Sequence, residues 1–192
     1  MFEVFSTPGA STLLSVVVIV AFAAVTIART QNRSRAMNLE IILLYSIGII
    51  GFTGLASFMV HAFFGEAVAE SIGWQTGSLF QLEVAGANLA IGLIGFLGFW
   101  RRDFWLPFLI AKTAFSWTAG VAHIIDLVQR RNEAIGNAGP ILYLDFLIPV
   151  VLWGLYLGYR RILNEPAGTV RVRPLADRIA RRAPAKPPGE AQ

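Results

Sequence analysis

FWLPFLIAKTAFSWTAGVAHIIDLV, residues 104–128, decides the fold of this chain. Its length exceeds the roughly 20 mainly apolar residues that a helix needs to cross a hydrocarbon core. Within it, Lys112, Ser116, Ala119, His123 and Asp126 recur at offsets of 4, 3, 4 and 3. At 3.6 residues per turn those offsets hold the five side chains within roughly 40° of one line. The segment therefore reads as a membrane helix with one polar stripe.

Four more stretches of similar length and character flank it, at residues 10–28, 41–64, 79–100 and 141–159. A buried helix of a soluble protein would show apolar runs of about 10–14 residues instead. The whole composition agrees. The chain has 192 residues, 55% hydrophobic and 15% charged, with a mean hydropathy of +0.60, where soluble domains carry about a quarter charged residues. The expected fold is all-α, a polytopic membrane bundle of five transmembrane helices over residues 1–161, followed by a basic tail, 162–192. The absence of cysteine excludes disulfides, thiolate metal sites, iron–sulfur clusters and a cysteine nucleophile.

Charge sets the orientation. Arg29, Arg33, Arg35, Arg101, Arg102, Arg160, Arg161 and the tail arginines fall on one side of the five spans, with only Arg130 and Arg131 on the other. The positive-inside rule then puts the N-terminus outside and the C-terminus in the cytoplasm. The first span is expected to be an anchor, because a cleaved signal carries its positive charge before the apolar core rather than after it. Trp74 and Tyr143 fall at one predicted interface, and Trp100, Trp105 and Tyr159 at the other, as aromatic belts.

Ionisable groups inside spans cost several kcal/mol and normally face a bundle interior or cavity. His61, Glu83, His123, Asp126 and Asp145 all lie within about 3–8 Å of the outer boundary, and Asn88 about 14 Å from it. With Gln81 they outline a polar pocket at the outer face, drawn from four spans. Pro149 cannot donate to the Asp145 carbonyl, which leaves a further acceptor free. His61, Glu83, His123 and Asp145 are candidate ligands of a divalent metal such as Zn, Mn or Fe, and the two histidines are candidate axial ligands of haem b. His and Asp in series also suit a proton or cation path, and the same groups could simply bond the helices together. Lys112, about 12 Å from the inner boundary, has no obvious acidic partner.

The outer loop holds Glu66 and Glu70 and no basic residue. Phe64, Val68 and Ile72 repeat every four residues, as in a short interfacial helix, although a plain connection is equally compatible. The proline-broken tail is expected either to be solvated and disordered or to rest on anionic lipid through Arg178, Arg181 and Arg182. Its arginines lack interleaved aromatics, which argues against nucleic-acid binding. Small-residue faces leave room for a homo-oligomer or a membrane-complex partner.

ESIGWQTGSLFQLEVAGANLAIGLIGFLGFWRRDFW, residues 70–105, and GNAGPILYLDFLIP, residues 136–149, resemble a bacterial family of small integral-membrane proteins of unknown function. With His61 and His123, the resemblance extends over roughly residues 40–160, leaving out the first span and the tail. Gln81, Glu83, Asn88, His123, Asn137 and Asp145 fit its pattern, whereas Leu79 and Ile135 stand where the family has proline. The resemblance implies a multi-pass protein of the bacterial cytoplasmic membrane and carries no activity with it.

Overall fold

A computed structural model describes residues 10–30 and 34–164, with side chains from Ser15 onward. The tail expected over 162–192 lies outside the described residues from 165 on. The described residues form helices joined by short turns: α1 (Ala10–Arg29), α2 (Arg35–Phe63), α3 (Gly65–Ile72), α4 (Phe80–Gly98), α5 (Trp105–Arg130), α6 (Ile135–Ala138) and α7 (Pro140–Asn164). A single 3-10 turn, Arg102–Phe104, leads into α5.

Four helical segments are long and apolar enough to cross a membrane: Arg35–Phe63, Phe80–Gly98, Arg102–Arg130 and Ile135–Asn164. The first expected span falls on α1, whose described apolar part is the shorter Ser15–Arg29. Two boundaries move. α2 starts at Arg35 rather than at residue 41, because Ser34 caps it by accepting from the Met37 N–H at 3.2 Å, a stop signal for the preceding chain that apolar length alone does not register. α7 runs on through Arg160 and Arg161 to Asn164; arginine is a good helix former and suits the negative end of the helix dipole.

The helices alternate in direction, so the bundle has two distinct ends. At one end Arg102 pairs with Glu40 of α2, and the Trp105 and Tyr159 rings lie 5.6 Å apart. At the other, Gln81 meets His61, and Trp74 and Asn132 meet Asp126. Arg29 at the end of α1, Arg35 at the start of α2, Arg101 and Arg102 between α4 and α5, and Arg160 and Arg161 near the end of α7 share the first end. Leu43, Ile47, Ile91, Trp105, Phe108, Leu109 and Leu152 form the buried core nearest it. Phe52, Leu93, Ile110, Leu147 and Val150 face outward, an apolar exterior costly in water and suited to lipid.

α2 and α4 form the most extensive helix pair, and glycine explains how. A Cβ on Gly51 would sit 2.6 Å from the Gly95 backbone, and one on Gly95 2.7 Å from the Gly51 Cα. The two backbones are therefore in direct contact, the arrangement that small residues permit in membrane helices.

The aromatic belts need correction. Trp100 and Tyr143 are exposed as expected, but Trp105 and Tyr159 are buried. The Trp105 indole donates to the Gly98 carbonyl at 2.8 Å, satisfying a helix-end acceptor that would otherwise lack a partner. Trp74 turns inward as well.

A polar cavity at the histidine end

Between α2, α4, α5 and α7 lies a cavity of about 620 Å³. Six of the seven sequence-derived candidates line it: His61, Gln81, Glu83, Asn88, His123 and Asp145. Lys112, Ser57 and Thr118 join them, with Trp74, Phe80 and Phe115 supplying aromatic surface. Glu83 is exposed, at the rim, while Asn88, His123 and Asp145 are buried. A volume in the range of about 300–1,000 Å³, apolar walls and a few converging polar groups are the usual attributes of a small-molecule site.

Helical phase puts these residues together. The buried face of α4 runs through Gln81, Ala85, Asn88, Gly92 and Gly95, and that of α5 through Ser116, Gly120, His123 and Asp126. Gly120 lets α7 approach: a Cβ there would lie 3.3 Å from the Asp145 Cβ. Asp145 thus enters level with Gly120 and within electrostatic reach of Lys112, His123 and Ser116. Asp145 is thus an acidic group on the same chamber wall as Lys112, without an ion pair between them, and sequence spacing did not identify it because it sits on another helix.

Both histidines are oriented by amides. His61 Nδ1 lies 2.7 Å from Gln81 Oε1, and His123 Nδ1 lies 2.8 Å from Asn137 Oδ1. The Asn137 amide nitrogen donates to the Asn132 carbonyl at 2.8 Å, so its oxygen faces the ring. An amide oxygen only accepts, and each Nδ1 therefore donates, leaving Nε2 as the acceptor of a neutral imidazole. Trp74 stacks on His123 with centroids 5.6 Å apart.

Asp126 stands apart from the other candidates and does not line the cavity. Its carboxylate accepts from Trp74 Nε1 at 2.9 Å, Asn132 Nδ2 at 2.6 Å and Arg130 at 3.3 Å. Asn132 Nδ2 also reaches the Ile72 carbonyl at 2.8 Å. Asp126 therefore anchors the rim: it holds Trp74 over His123 and, through Asn132, ties the end of α3 to the end of α5. Of the two expectations for the outer loop, a short helix is what forms, α3, and its Val68 and Ile72 line the cavity. It ends at Gly73, with φ 77°, a left-handed conformation that glycine adopts without strain, and the turn returns Trp74 over the mouth.

The metal reading finds no support in this arrangement. Among the described residues no three His, Asp or Glu side chains gather closely enough to hold a metal ion; His61, Glu83, His123 and Asp145 share the cavity without converging. Sequence reasoning also gave Trp74 and Asn137 no place in the pocket. The available signals were the glycine at 73 before Trp74 and the amide of Asn137 between Gly136 and Ala138.

The fold and cavity define a class: a helical bundle with four helices of membrane-spanning length and apolarity around a polar chamber near one end. The chain belongs to DUF6790, a family of unknown function, whose profile covers residues 9–164. The coverage includes the first helix, which the sequence resemblance had left out. Comparison with curated proteins gives no match, and comparison with solved structures gives none either.

Proposed function

We propose that this chain is a five-span protein of the bacterial cytoplasmic membrane that binds a small organic ligand in the chamber, entered from the non-cytoplasmic face. The observation that carries the reading is the shared lining: seven ionisable or amide side chains from four helices on one chamber of about 620 Å³. Groups serving only as interhelical glue would be expected to bond directly to one another, as His61 and Gln81 do. Here Asn88 donates only to the carbonyl of Val84, one turn back on its own helix. The five-span topology is supported by the 20-residue α1 and by the arginines gathered at the opposite end.

The test is gentle purification followed by solvent extraction and mass spectrometry, alongside an absorption spectrum. Ala119→Trp, which fills the chamber, is the control. The expected result is a compound near one per chain in the native protein and absent from the variant. Identical extracts from the two proteins would overturn the reading. A haem absorption band would move it to a redox cofactor bound by His61 and His123. Flux across liposomes that depends on His123 and Asp145 would move it to a coupled transporter.

A further inference from the structure

Lys112 and Asp145 are the two opposite charges on the inner wall of the chamber, and they do not neutralise each other by contact. Among the described residues the ion pairs join Arg101 to Asp103, Arg102 to Glu40 and Arg130 to Asp126; Lys112 and Asp145 form none. Asp145 lies level with Gly120, eight residues from Lys112 along α5, or about 12 Å of helix rise. Both side chains line the chamber, and their charged ends stay beyond ion-pair distance. Among the described residues Lys112 also donates no hydrogen bond, although its ammonium has three N–H groups to satisfy.

From this separation we propose, resting on the ligand-binding reading above, that the ligand is a small zwitterion with an apolar body. Its carboxylate takes the Lys112 ammonium, its own ammonium takes Asp145, and its body lies against Phe115, Phe80 and Trp74. A simple cation would leave Lys112 enclosed with the ligand without a counter-charge, and would be repelled by it. A simple anion would do the same to Asp145. Burying one uncompensated charge is costly in either case, whereas a zwitterion satisfies both at once. The other titratable groups on the lining fit this balance: His61 and His123 each donate through Nδ1 to an amide, and Glu83 stays at the exposed rim.

Three probes of nearly equal size separate the charge classes: L-phenylalanine, phenethylamine and 3-phenylpropanoate, each titrated calorimetrically into the full-length protein in detergent. L-phenylalanine is expected to bind at least about tenfold more tightly than either singly charged analogue, the order of one charge-assisted hydrogen bond. Lys112→Met should transfer the preference to phenethylamine, and Asp145→Asn should transfer it to 3-phenylpropanoate. A crossover of this kind is not produced by a variant that merely misfolds. Equal or tighter binding of a singly charged probe to the native protein, or no binding of any probe, overturns the zwitterion assignment. The extraction experiment judges the chamber itself independently, so the two can fail separately.

Discussion

Replacing Asp126 with alanine should loosen the rim of the chamber by releasing Trp74. The native carboxylate, 7% exposed, accepts from Trp74 at 2.9 Å and Asn132 at 2.6 Å. Hydrogen bonds to a charged group contribute about 1.5–3 kcal/mol each. The cost of holding the carboxylate away from water is recovered on truncation, and Asn132 keeps its bond to the Ile72 carbonyl. The net loss is then about 2–4 kcal/mol. For a chain of this length that corresponds to a fall of about 5–15 °C in the melting midpoint. Arg130→Ala is the matched control. It also touches Asp126, at 3.3 Å, but its side chain is 78% exposed, so its loss should cost less than about 1 kcal/mol. Heat ramps in detergent, followed by tryptophan fluorescence, compare the two. Equal midpoints for Asp126→Ala and Arg130→Ala would refute the anchoring role, because the buried bonds would then be contributing no more than an exposed ion pair.

Gly95→Ala should destabilise by about 1–3 kcal/mol, since its new Cβ meets Phe108 at 2.6 Å and the Gly51 Cα at 2.7 Å. Gly86→Ala, with nothing within 4 Å, should leave the melting midpoint unchanged or raise it. Glu40→Leu leaves Arg102 without its partner and should cost about 2–3 kcal/mol; adding Arg102→Met should recover most of that, measured as a double-mutant cycle. Because the chain contains no cysteine, single-cysteine variants report the orientation directly. A membrane-impermeant maleimide on intact cells should label Gln75→Cys and spare Asp103→Cys, and the reverse pattern would invert the proposed orientation.

Much of this architecture was legible because membrane helices write two signals locally, apolar length and polar phase. Lys112, Ser116, Ala119 and His123 could be placed on one face of α5 from their offsets alone, and all but the buried Ser116 line the chamber. What escaped depends on contacts between segments distant in sequence. Trp74 and Asp126 are 52 residues apart, and nothing near either one signals the other. An indole at a predicted interface reads as a belt residue until its N–H is seen to have a protein acceptor, as for Trp74 and Trp105. Asp126 follows the phase of the polar stripe faithfully, but phase does not tell a wall of the chamber from the bracket behind it. The early start of α2 was hidden for a different reason: Glu40 stands just before the apolar stretch 41–64, and its pairing with Arg102 allows it inside the helix.

The glycine contact between α2 and α4 also has a mechanical side. Gly51 and Gly95 meet backbone to backbone, and Gly54 lies against Gly92, so the pair has a fulcrum in its middle. From Gly54 to His61 is seven residues, an arm of about 10 Å. A change of about 10° in the crossing angle would carry the tip of that arm by about 2 Å. That displacement is enough to part His61 from Gln81, whose atoms lie 2.7 Å apart. The histidine–glutamine bond therefore sits at the point where a small change in the α2–α4 crossing angle would be magnified into a broken contact.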